Sequence, residues 1–76
     1  VLVLTSTRIT DRGLEHLAGL SKLQELYLSN TQITDAGLTH FQHLSELRKL
    51  LLDGTHVTKS GVAELQKALP DCIIVH

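Results

Sequence analysis

The sequence predicts an α/β repeat protein of about three stacked coils, each a short strand followed by a short helix, with a fourth strand at the end. Three observations carry that prediction. A period of 24 residues places Leu2, Leu26, Leu50 and Ile74 in one column, Leu4, Leu28 and Leu52 in another, and Thr7, Thr31 and Thr55 in a third. Within each copy an alternating segment gives way to apolar residues three apart, so strand periodicity is followed by helix periodicity. Glycine recurs once per copy, at 13, 37 and 61. Self-similarity at such a period marks a repeat array.

The elements follow in order. Val1 to Thr5 alternates, with Leu2 and Leu4 pointing into the array and Val1, Val3 and Thr5 facing the other way. Leu14, Leu17 and Leu20 then form one buried face of a short helix, for which Thr10 is the expected cap and Asp11 the expected partner of the helix dipole. Thr34 and Asp35 repeat the device, whereas Lys59 follows Thr58, so the third helix is expected to be the least well capped. Glycine inside a helix costs about 0.5 to 1 kcal/mol relative to alanine. Its recurrence at 13, 37 and 61 therefore implies that each helix start passes too close to the neighbouring coil to admit a Cβ. Thr7, Thr31 and Thr55 read as a ladder of inward hydroxyls bonded to a backbone group of their own or the next coil. The last copy departs from the pattern. Ala68 stands in the column of Leu20 and Leu44, Leu69 is expected to pack in its place, Pro70 stops the helix, and Cys72 to Val75 forms the closing strand.

Composition narrows the classes. Seven basic against eight acidic side chains, a net charge of -1, offer no excess that would seek nucleic acid. Apolar runs are too short for a membrane-spanning helix, and no charged start followed by an apolar block marks a signal peptide. A single cysteine, Cys72, excludes an internal disulfide and reads as a small buried hydrophobe. The start on Val-Leu-Val-Leu without methionine, and the atypical last copy, suggest that residues 1–76 are one segment at the C-terminal end of a longer chain. An uncapped apolar strand edge at Val1 to Leu4 is then expected to make the isolated segment weakly stable or self-associating.

The spacing Leu-x-x-Leu-x-Leu-x-x-Thr-x-Ile, carried by Leu23, Leu26, Leu28, Thr31 and Ile33 and again by Leu47, Leu50, Leu52, Thr55 and Val57, resembles the leucine-rich repeat family. The likeness is to its helix-bearing form in ribonuclease-inhibitor-like and bacterial repeats, with threonine where asparagine or cysteine is more usual. The resemblance implies a curved right-handed α/β solenoid with parallel strands on the concave side, helices on the convex side, and a binding or scaffolding role without enzyme activity.

On that reading the outward strand residues line the concave face. Val3, Tyr27, Leu51 and Val75 form one exposed apolar row, flanked by Val1, Glu25, Lys49 and Ile73 on one side and Thr5, Ser29 and Asp53 on the other. Parallel strands about 4.8 Å apart would make the row a continuous ridge. The expected partner-binding residues are Val3, Glu25, Tyr27, Ser29, Lys49, Leu51, Asp53 and Val75, with Tyr27 as aromatic anchor. The plainer alternative is a structural cap or an appendage of a larger protein, an enzyme among the options, in which the parent chain covers this row. His16, His40 and His43 share the convex side but have no carboxylate or cysteine to complete a metal set, and His56 and His76 stand apart. Ser29, Ser45 and Ser60 lack histidine and acid partners for a triad, and the glycines recur singly, unlike a phosphate loop. No catalytic, cofactor or metal site is expected.

Overall fold

Four parallel strands in sequential order form one sheet in the computed structural model, which describes residues 1–76. The strands are β1 (Leu2–Val3), β2 (Glu25–Tyr27), β3 (Lys49–Leu51) and β4 (Ile73–Val75). Their register follows the 24-residue columns: Leu2 pairs with Leu26, Leu26 with Leu50, and Leu50 with Ile74. Hydrogen bonding runs past the strand ends, from Leu4 N–H to the Tyr27 carbonyl at 2.8 Å and from Leu28 N–H to the Leu51 carbonyl at 2.9 Å. Between strands lie α1 (Asp11–Leu14), α2 (Asp35–Leu38) and α3 (Lys59–Ala68). The core is sandwiched between sheet and helices. Leu26, Leu28, Ile33, Phe41, Leu44, Leu50 and Leu52 are fully buried there.

The first two helices are shorter than the apolar pattern suggests. Each is one α-turn that tightens at once into a 3₁₀ turn, over Glu15–Leu17 and Thr39–Phe41. Leu20 and Leu44 lie beyond them, held by bonds to the residue three back: Leu20 N–H to the Leu17 carbonyl (3.0 Å) and Leu44 N–H to that of Phe41 (3.1 Å). The reason lies in the spacing. Apolar residues at 14, 17, 20 and 23 keep a strict period of three, which a 3₁₀ helix satisfies and an α-helix does not. In the last copy the spacing becomes Val62, Leu65, Leu69, a step of three then four, and α3 is a regular α-helix of ten residues. Leu69 is buried and Ala68 exposed, as the displaced packing position requires.

Capping reverses the expected order. Thr58 caps α3 by accepting from Gly61 N–H (3.2 Å), Thr34 accepts from Ala36 N–H (3.3 Å), and Thr10 makes no such bond. The helix without an acid is therefore better capped than the first one. The aspartates act on the next coil instead. Asp11 accepts from Thr34 N–H (2.7 Å) and hydroxyl, and Asp35 accepts from Thr58 N–H (2.7 Å) and hydroxyl. These carboxylates also account for two glycines. A Cβ at Gly37 would strike Asp11 and, at 2.7 Å, Leu14; one at Gly61 would strike Asp35. Gly13 differs, since its Cβ would meet only Ile9 of its own coil, at 2.8 Å.

The threonine ladder is internal to each coil. Thr7, Thr31 and Thr55 donate to the carbonyls of Leu4 (2.7 Å), Leu28 (2.7 Å) and Leu52 (2.6 Å), three residues back. One residue before each threonine the backbone is left-handed, with φ of 60° at Ser6, 58° at Asn30 and 73° at Gly54. That column turns the chain out of the strand. Glycine and asparagine tolerate it and serine does so less readily.

Candidate interaction surface

The strand face turned away from the helices carries the expected row in register. Val3 pairs with Tyr27, Tyr27 with Leu51, and Leu51 with Val75, so the four side chains stand on adjacent strands. The row is open at its ends and partly covered in the middle. Val3 is 59% and Val75 40% exposed, while Tyr27 and Leu51 are half-buried. Ile73, which aligns with Lys49 and Glu25 in the flanking column, is 66% exposed and extends the apolar area. Strand alternation with the 24-residue register places Ile73 there too, and its exposure adds it to the candidate surface.

Polar neighbours fix the centre of the ridge. The Tyr27 hydroxyl donates to the Glu25 carboxylate, and the Lys49 ammonium lies 5.9 Å from the Tyr27 ring centroid. The hydrogen bond to Glu25, partial burial and the nearby negative charge all push the Tyr27 phenol pKa up. Tyr27 is thus held neutral, its ring flanked by one acid and one base. Ser29 is buried and donates its hydroxyl to Asp53 (2.6 Å), so it braces the Asp53 side chain across the coil junction and offers little surface itself. Asp53, Lys49 and Val75 remain exposed.

Residues 1–57 match the family model described as leucine rich repeat. The chain belongs to the leucine-rich repeat family. No curated protein is matched by it. Leucine-rich repeat domains generally mediate protein–protein interaction, and the family is typically non-catalytic.

Outside the strand face, this leucine-rich repeat has two further depressions: a groove of about 290 Å³ between α2 and α3 lined by Asp35, Leu38, Thr39, Gln42, Ser60, Gly61, Glu64 and Leu65, and a shallower one of about 340 Å³ along Gly19 to Leu23. Asp35 within the first is already engaged by Thr58. No three His, Cys, Asp or Glu side chains come together as a metal set. His76 is less isolated than the sequence suggests, because its Nε2 lies 3.0 Å from the Val57 carbonyl oxygen. Cys72 is buried, and burial pushes its thiol pKa up, away from a reactive thiolate. No helix is long and apolar enough to cross a membrane.

Proposed function

We propose that this leucine-rich repeat segment is a non-catalytic protein-interaction or scaffolding module that contacts its partner through the outward strand face. The supporting observation is the ridge Val3, Tyr27, Leu51 and Val75, extended by Ile73, in which apolar side chains stand on four adjacent strands where polar residues would suffice for a solvent-facing sheet. Lys49, Glu25 and Asp53 edge the ridge with both charge signs, an arrangement that suits a protein surface with a polar rim. The near balance of charge favours protein over nucleic acid as the partner class.

A photo-crosslinking amino acid placed at Leu51 or Val75, and at His43 on the helix side as control, tests the reading in the protein as it occurs in cells. The expected result is a discrete intermolecular adduct from positions 51 and 75 and none from 43. Adducts confined to position 43 would overturn the assignment of the face. Crosslinks from position 51 that stay within one polypeptide would replace it with the structural-cap reading.

A further inference from the structure

The chain leaves β3 through a turn that Leu52 and Thr55 close, with Thr55 N–H on the Leu52 carbonyl at 3.3 Å. Gly54 stands third in that turn at φ 73°, and Asp53 before it has no positive φ, which is the type II geometry. The corresponding turns of the other coils hold Thr5–Ser6 and Ser29–Asn30 at these two positions. Only this turn sets a carboxyl side chain before a residue that has no side chain. Asp11, Asp35 and Asp71 are followed by Arg12, Ala36 and Cys72, each with a Cβ that crowds its own amide nitrogen.

Asp53 and Gly54 are both exposed. The Gly54 N–H donates to no backbone carbonyl, so rotating that peptide gives up no such bond at its nitrogen. What restrains the pair comes from the preceding coil. The Ser29 hydroxyl holds one oxygen of the Asp53 carboxylate at 2.6 Å, and the Asn30 N–H holds the Asp53 carbonyl at 2.9 Å. When both let go, rotation about Asp53 can carry the Gly54 nitrogen to Cγ, and the free φ of glycine lets the chain follow. Gly54 N with Asp53 C, Cα, Cβ and Cγ then makes a five-membered ring.

We propose that Asp53–Gly54 is a site of spontaneous backbone modification, isomerisation through a cyclic imide to isoaspartate, and that Ser29 and Asn30 set its rate. In the first step the Gly54 nitrogen bonds to Cγ of the neutral carboxyl, and the amide proton leaves with the carboxyl O–H as one water. In the second step water adds to the former main-chain carbonyl and breaks its bond to Gly54. One water is released and one is taken up, so neither mass nor oxidation state changes. The main chain then runs through Cβ and Cγ, one methylene longer, and the carbonyl that Asn30 held has become a free carboxylate. Coil junction and chemistry are thereby linked, because the reactive pair is free only when the second and third coils part at this turn. The proposal does not depend on the strand face binding a partner.

The test incubates the folded protein at neutral pH in heavy-oxygen water, with a free peptide of residues 50–57 as the unrestrained reference. Each passage through the imide incorporates one heavy oxygen, and peptide mapping with electron-transfer fragmentation locates both label and isoaspartate. Label and isoaspartate are expected at position 53, more slowly than in the peptide, and not at 11, 35 or 71. Ser29→Ala is expected to speed the reaction about fivefold or more, the change one lost hydrogen bond makes in a local opening equilibrium, and Ser29→Thr, which keeps the donor, to return the wild-type rate. A wild-type protein unlabelled at 53 after the peptide has largely converted would overturn the site, whatever the variants do. Equal rates in wild type and a folded Ser29→Ala would overturn the control by the neighbouring coil.

Discussion

Asp35 receives two hydrogen bonds from Thr58, first the side-chain and then the backbone donor, and these hold its carboxyl pKa below the usual aspartate value, with a smaller contribution from His76. Because the folded pKa lies below the unfolded one, the ionised form stabilises the fold. That contribution is present above the ordinary aspartate pKa of about 4 and is lost as pH falls through the lowered folded value. Urea midpoints measured from neutral pH downward are expected to drop in that acid window, and to drop less steeply in Asp35→Asn. The glycines opposite the carboxylates make a second residue-scale prediction. Gly37→Ala and Gly61→Ala force an aspartate off its two donors and are expected to cost about 1 to 3 kcal/mol in denaturant unfolding, whereas Gly13→Ala displaces only Ile9 and should stay within about 1 kcal/mol. Ser6 is the poorest residue of the left-handed column, so Ser6→Asn is expected to raise stability by up to about 1 kcal/mol.

Between helix and strand the chain depends on leucines that belong to neither. Leu44 lies after the second 3₁₀ turn and is fully buried, while Leu20, its counterpart in the first coil, is 44% exposed. Leu44→Ala is therefore expected to cost about 2 to 5 kcal/mol and Leu20→Ala less than about 1 kcal/mol, measured by thermal or chemical unfolding. Identical residues in identical columns differ because burial depends on how many coils flank them. The sequence pattern announced both leucines as core. It also held the signal for 3₁₀ geometry, in the strict three-residue spacing, but helix type is decided by which geometry the packed sheet leaves room for. The ridge was legible for a related reason: strand alternation and a 24-residue period are enough to place Val3, Tyr27, Leu51 and Val75 in line. What they could not supply is that Ser29 turns in to brace Asp53 and that Glu25 and Lys49 flank the Tyr27 ring, since each depends on rotamers chosen across coil junctions.

For the whole molecule, repeat arrays gain stability from each interface between neighbours, and this one has two such junctions, Asp11 to Thr34 and Asp35 to Thr58. Light scattering across a concentration series is expected to show association of the wild-type chain, and Val3→Lys combined with Leu51→Lys is expected to give a folded monomer. Equal association of both proteins would place the contact at the open β1 edge and remove the main support for the strand ridge as the interaction surface.

The architecture follows from the residue order alone, because a 24-residue period with alternation in one half and three-residue spacing in the other has one economical solution: parallel strands stacked in register with helices behind them. The same pattern requires that Gly37 and Gly61 sit where another coil comes close. What comes close to them is fixed by folding. Asp11 reads as the charge that favours its own helix, yet its bonds go to Thr34, 23 residues away, and Asp35 does the same to Thr58. The physical reason is that local spacing governs which face a side chain occupies. Its hydrogen-bond partner is set by which coil is stacked against that face, and that neighbour is near in space only after the chain has folded.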